Sequence, residues 1–114
     1  MSRNRARGTA WETAIALYLR GRGWPWAERR ALGGANDRGD IAGIPGVVIS
    51  AKAVREWRLD EWLREVAKQK ANDGAAYGFV WLKRRGKTSP GDAYVVMDGD
   101  TFTALLAAGA GDEQ

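Results

Sequence analysis

Apolar and polar positions alternate with two different periods along this chain, and the change of period divides it into elements. Trp11, Ile15, Tyr18 and Leu19 recur at helical spacing. Thr9-Ala10-Trp11-Glu12 ahead of them reads as a capping box, and Gly21 and Gly23 close the helix. Residues 24–32 read as a strand with Pro25 near its start, and residues 33–37 as a loop. Asp40 to Ile44 and Val47 to Ala53 read as two short strands turned by Ile44-Pro45-Gly46. Leu59, Trp62, Leu63 and Val66 predict a second amphipathic helix over residues 59–72, stopped by Asp73-Gly74. Residues 75–83 and Ala93 to Met97 predict two more strands, separated by a basic loop from Arg84 to Gly91. Asp100 or Thr101 is expected to cap a last short helix through Leu106.

The resulting order, α-β-β-β-α-β-β-α, predicts an α/β fold, a small mixed β-sheet flanked by helices. One domain is expected over residues 8–108. Residues 1–7, with Arg3, Arg5 and Arg7 and no apolar partner, read as a basic mobile arm, and residues 109–114 as a frayed tail. There is no repeat, low-complexity tract or internal linker. No run of about 18 apolar residues is present, so no membrane-spanning helix is expected, and the first residues lack the apolar core of a secretory signal.

Composition narrows the chemistry. The chain has no cysteine, which removes disulfides and thiolate zinc sites and fits a reducing cytoplasm. It has no histidine, which removes Ser-His-Asp hydrolysis and histidine general bases. Catalysis would rest on carboxylates, lysine, hydroxyls or a hard cation, and oxygen ligands select Mg2+ or Mn2+. The net charge of +4 is uneven: residues 1–55 carry ten Lys/Arg against four Asp/Glu, whereas residues 56–114 carry eight against ten. A basic face and a polyanionic partner follow. Six tryptophans are many for a small core, which points to a subunit interface for some of them.

The densest chemistry lies in Gly39-Asp40-Ile41-Ala42-Gly43-Ile44-Pro45-Gly46-Val47-Val48-Ile49-Ser50-Ala51-Lys52. A lysine in a buried strand requires a partner. Residues 50 and 52 share a strand face, so Ser50 and Lys52 are expected to point together toward Asp40. Each residue alone has a plainer account. Glu12 is explained as a capping glutamate, Asp40 as a turn residue, Lys52 as an edge-strand lysine and Gln69 as a solvated helix residue. Only the joint placement of Asp40 and Lys52 around a hairpin raises a site above these readings. Lys83, Arg84, Arg85 and Lys87 form a basic loop suited to phosphate contact, and Arg29, Arg30 and Arg38 are expected to join it near the site. Arg29 and Arg30 point opposite ways in a strand, so one of them is expected to be structural.

With Glu12 in the first helix, Gly39-Asp40 before the turn and Ser50-Ala51-Lys52 after it, the chain resembles the PD-(D/E)XK nuclease superfamily. It is most similar to the small Holliday-junction resolvases of archaeal type and their phage relatives. Lys83-Arg84-Arg85-Gly86 and Gly91-Asp92 also look like the phage members. The resemblance covers roughly residues 8 to 106 and implies a restriction-endonuclease-like fold. It implies a homodimeric, Mg2+-dependent endonuclease acting on branched DNA such as a four-way junction. Carried over by position, Asp40 and the Ala51 carbonyl would hold the metal, Lys52 would be the catalytic lysine, Glu12 an auxiliary acid, and Gln69 a polar residue facing the site. Ser50 departs from the motif, which has an acid there. A hydroxyl is a poor ligand for magnesium, so cleavage is expected to be impaired with binding kept. Three accounts of Ser50 stay open: an engineered inactivating replacement, a natural loss in a protein that only binds, or takeover by another acid such as Glu12. A branched-DNA-binding module without catalysis, and a nuclease or nickase of the same superfamily with another DNA substrate, are the competing functions.

Overall fold

The computed structural model describes residues 3–30 and 36–110; the side chains of Arg3, Asn4 and Ala110 lie outside the description. Among the described residues the fold is mixed α/β, with three α-helices and, in place of the one sheet expected, two small sheets: α1 (Arg3–Arg20), β1 (Glu28–Arg29), β2 (Ile41–Ala42), β3 (Val47–Lys52), α2 (Leu59–Asp73), β4 (Tyr77–Leu82), β5 (Tyr94–Val96) and α3 (Gly99–Leu105). The order is the one the periodicity predicts.

The first helix starts six residues earlier than expected. Arg, Asn and Ala are all tolerated in helices, and one glycine at position 8 costs only about 1 kcal/mol, so α1 runs back through the supposed arm to Arg3. The part of the arm before Arg3 lies outside the described residues. Thr9 is therefore internal to the helix; its carbonyl accepts from the Thr13 hydroxyl (3.0 Å), and it is not a cap. Trp11, Ile15, Ala16 and Leu19 are buried, as the spacing requires.

The strand expected over 24–32 shrinks to Glu28–Arg29. Pro25 has no N–H to donate, Gly23 takes a positive φ of 104°, and the chain turns back through Ala27 N–H to Trp24 O (3.0 Å). Residues 31–35, the end of that segment and most of its loop, lie outside the described residues. β1 pairs antiparallel with β2, Arg29 opposite Ile41, so β2 does not form the expected hairpin with β3. The Ile44-Pro45-Gly46 turn forms as expected: Val47 N donates to Ile44 O (3.1 Å), and Gly46 supplies the positive φ (77°) that a turn with proline before it requires.

β3, α2 and β4 make a parallel crossover unit, and β5 adds antiparallel to β4, giving the order β3-β4-β5. Alternation sorts the side chains onto two faces. Ile49, Ala51 and Trp81 pack with Trp11 and Ile15 of α1, whereas Val80 and Leu82 pack with Trp62 and Val66 of α2. α2 comes so close to β4 that a Cβ on Gly78 would stand 2.4 Å from Val66 Cγ1. The indoles of Trp11 and Trp81 are tied inside, donating to Trp81 O and Pro90 O (3.1 Å each). Trp24, Trp26 and Trp57 are exposed. The last helix is capped by Asp98, which accepts from Thr101 N (2.8 Å), and not by Asp100 or Thr101. After it, a turn over Leu106–Ala110 breaks at Gly109, and the tail from residue 111 lies outside the described residues. No helix among the described residues is long and apolar enough to cross a membrane.

Candidate functional site

β3 is an edge of its sheet, and the segment before β2 lies along its free side. Asp40 N donates to Ile49 O (2.8 Å), and Ala51 N donates to the Asp40 carboxylate at Oδ2 (2.7 Å). Gly39 makes this approach workable: at φ 94° a Cβ there would stand 2.9 Å from Ile49 O and from Val48 Cγ1. Even-numbered residues of β3 bond toward β4, as Lys83 N to Lys52 O (2.9 Å) shows. Ala51 therefore directs its carbonyl as well as its N–H toward Asp40.

Burial dominates the electrostatics of Asp40. It pushes the carboxyl up from 3.8 to about 6, against the Ala51 N–H, which lowers it. Nearby Glu12 and Asp37 push it further up, and Lys52 pulls it down. The expected acid and lysine are thus within each other's field. Lys52 nevertheless gives its hydrogen bond to Glu65 on α2 (3.1 Å) and stands 5.5 Å from the Trp62 ring. Ser50 shares the α2 face with Lys52; it is 1% exposed, and its hydroxyl has no hydrogen-bond partner among the described residues.

Gln69 is also buried, at 2% exposure, which overturns the solvated reading. Its amide donates to Asp37 Oδ2 (2.9 Å), and its Oε1 has no partner among the described residues. Asp37 in turn accepts from Gly39 N (2.9 Å), and its carbonyl from Asn72 (2.8 Å). The end of α2 therefore fastens the segment that carries Asp40. Asp37 and Glu65 were not singled out from the sequence. A signal was there for Glu65 and Gln69: with Trp62 and Val66 they occupy positions i, i+3, i+4 and i+7 of one helical stripe.

The remaining candidates separate into two groups. Glu12, freed from capping, pairs with Arg29 (3.1 Å), and Asp73 lies 3.8 Å from both Arg30 and Arg38. These three arginines are spent on carboxylates of the fold and do not join the basic loop. Arg7, Lys83, Arg84 and Arg85 do converge, in a cleft of about 870 Å³ between α1 and the loop after β4. Arg5 is exposed on α1 two residues before Arg7, and Lys87 is exposed in the loop after β4. Asp40, Ser50 and Lys52 do not line this cleft, which begins beyond them at Ala53.

For a hard cation the donors at hand are the Asp40 carboxylate and the Ala51 carbonyl. Among the described residues no three acidic side chains are placed to hold a metal ion. The nearby Ser50 hydroxyl is a neutral donor without a partner among the described residues. These residues do not make a complete Mg2+ site as they stand. The chain matches no protein-family model, no curated protein and no solved structure.

Proposed function

We propose that this protein is a structure-selective DNA-binding protein built on a resolvase-like, restriction-endonuclease-like frame, with a hydrolytic centre incomplete at Ser50. The observation that carries the reading is the buried, unpartnered Ser50 hydroxyl. It lies one residue from the N–H that grips Asp40 and two from Lys52. A buried polar group without a partner is costly and calls for an explanation. A position built for a carboxylate that a cation would satisfy is that explanation. Asp40, the Ala51 carbonyl and an acid at position 50 would hold Mg2+ beside a phosphodiester, and Lys52 would offset developing negative charge. Glu12 and Gln69 border this centre, Glu12 through its field on Asp40 and Gln69 through Asp37. The resemblance adds a homodimer whose two sites face opposite strands of a junction, and exposed Leu17, Trp24, Trp26 and Phe102 offer apolar surface for such pairing.

The test is a labelled four-way junction against a linear duplex of the same sequence, over a salt series, followed by Mg2+. The wild-type chain is expected to bind the junction more tightly and to cleave it poorly. Ser50→Asp and Ser50→Glu are expected to gain symmetric cleavage, and Mg2+ is expected to raise their Tm more than that of wild type. Equal affinity for junction and duplex at every salt concentration would sink the junction reading. Folded Ser50 variants with no gain in cleavage, and with junction binding kept, would leave a binding module alone.

A further inference from the structure

The cleft at the end of β3 has a chemistry that the Asp40 site lacks. Five of its lining residues are cations, Arg7, Arg55, Lys83, Arg84 and Arg85, and none is acidic. Among the described residues none of these five forms a salt bridge, in contrast to Arg29, Arg30 and Arg38. Arg84 is held in place without being neutralised: it donates to the Asp92 carbonyl (3.0 Å) and lies 4.7 Å from the Tyr94 ring centroid. Trp57 also lines the cleft and is 45% exposed. Its one aromatic contact, edge to face with Tyr94 at 6.0 Å and 89°, covers at most one face of the indole. The indole is thus partly exposed in a cleft lined by cations.

We infer that this cleft binds an unpaired stretch of a nucleic-acid strand, with its phosphates on Arg7, Arg55 and Arg85 and a base stacked on Trp57. Uncompensated positive charge selects a polyanion, and a partly exposed indole suits a planar ring; an unpaired nucleotide supplies both. Size favours a single strand, because about 870 Å³ is the scale of a small-ligand site, which an unpaired nucleotide can enter and the body of a double helix cannot. Cations along both walls, on α1 and on the loop after β4, favour a run of phosphates over a single one. The inference rests on the proposed DNA-binding reading only for the class of partner; it adds where an unpaired strand sits and introduces Arg55 and Trp57.

Fluorescence anisotropy with labelled oligothymidylate, blunt duplex and four-way junction tests it, with circular dichroism to verify folding. Trp57→Ala is expected to weaken oligothymidylate binding about 5- to 100-fold, with much smaller loss on duplex. Trp57→Phe is expected to restore most of it. Arg55→Ala and Arg85→Ala should each flatten the slope of log K against log salt by about 0.7, and Lys68→Ala on the outer side of α2 should not. Wild-type affinity for oligothymidylate in both Trp57→Ala and Arg55→Ala would overturn the inference. So would competition by thymidine monophosphate as effective as that by the oligomer. Junction preference that survives in the cleft variants would leave the proposed function standing and remove the cleft. Oligothymidylate binding that depends on Trp57, in a protein with no junction preference, would do the reverse.

Discussion

Asp40 shows how one buried carboxyl can be chemically informative in two directions. The Ala51 N–H favours its charged form, yet burial wins and holds it near 6. The native state therefore keeps a proton between roughly pH 4 and pH 6 that the unfolded chain has released, so stability falls as pH rises through that window. The full loss is at most about 3 kcal/mol, from a shift of roughly two pH units. In metal-free buffer, urea unfolding of wild type is expected to show this decline, whereas Asp40→Asn, which can still accept from Ala51, is expected to lack it. Identical pH profiles for the two chains would refute the assignment. Lys52 and Ser50 were legible as a pair from strand alternation alone. Glu65, the partner that Lys52 actually takes, was not, because a hydrogen bond between α2 and β3 depends on how the crossover lays the helix on the sheet.

At the scale of elements, period and punctuation were sufficient where packing confirmed them. α2 ends at Gly74 in the left-handed conformation (φ 71°), with Ala75 N reaching back to Lys70 O (3.0 Å), and both strands of the parallel pair fall within the apolar runs. Local signals failed where a competing preference was present. The Thr9–Glu12 box is overrun because the residues from Arg3 onward oppose a helix only weakly, through Gly8, and the Trp-Pro-Trp segment turns because Pro25 cannot join a ladder. The closeness of α2 to β4 has a measurable consequence. Gly78→Ala would drive a methyl into Val66 and Lys70, at 2.4 and 2.8 Å, and is expected to destabilise the fold by about 1–3 kcal/mol in thermal or urea unfolding. A neutral effect would mean that α2 sits further from the sheet than described.

Over the whole molecule the positive charge is partitioned by use. Arg29, Arg30 and Arg38 serve the fold through Glu12 and Asp73, whereas Arg7, Arg55, Lys83, Arg84 and Arg85 face an open cleft. Arg38→Ala is accordingly expected to leave the salt dependence of DNA binding unchanged and to alter stability by no more than about 1 kcal/mol, since its pair is half exposed. A slope reduced as much as in Arg85→Ala would place Arg38 on the DNA instead. The amino-acid sequence by itself determined the α/β class, the order of the elements, the turn at Pro45-Gly46 and the pairing of Asp40 with the strand that carries Ser50 and Lys52. These follow from local periodicity and from backbone restrictions, which act within a few residues. Only the tertiary structure decided which charges are neutralised, which polar groups are buried without partners and where a cleft opens. Those properties arise when residues far apart in the chain are brought together, as Gln69 is with Asp37 by a hydrogen bond and Arg7 is with Arg85 on the lining of one cleft, and local pattern alone does not fix them.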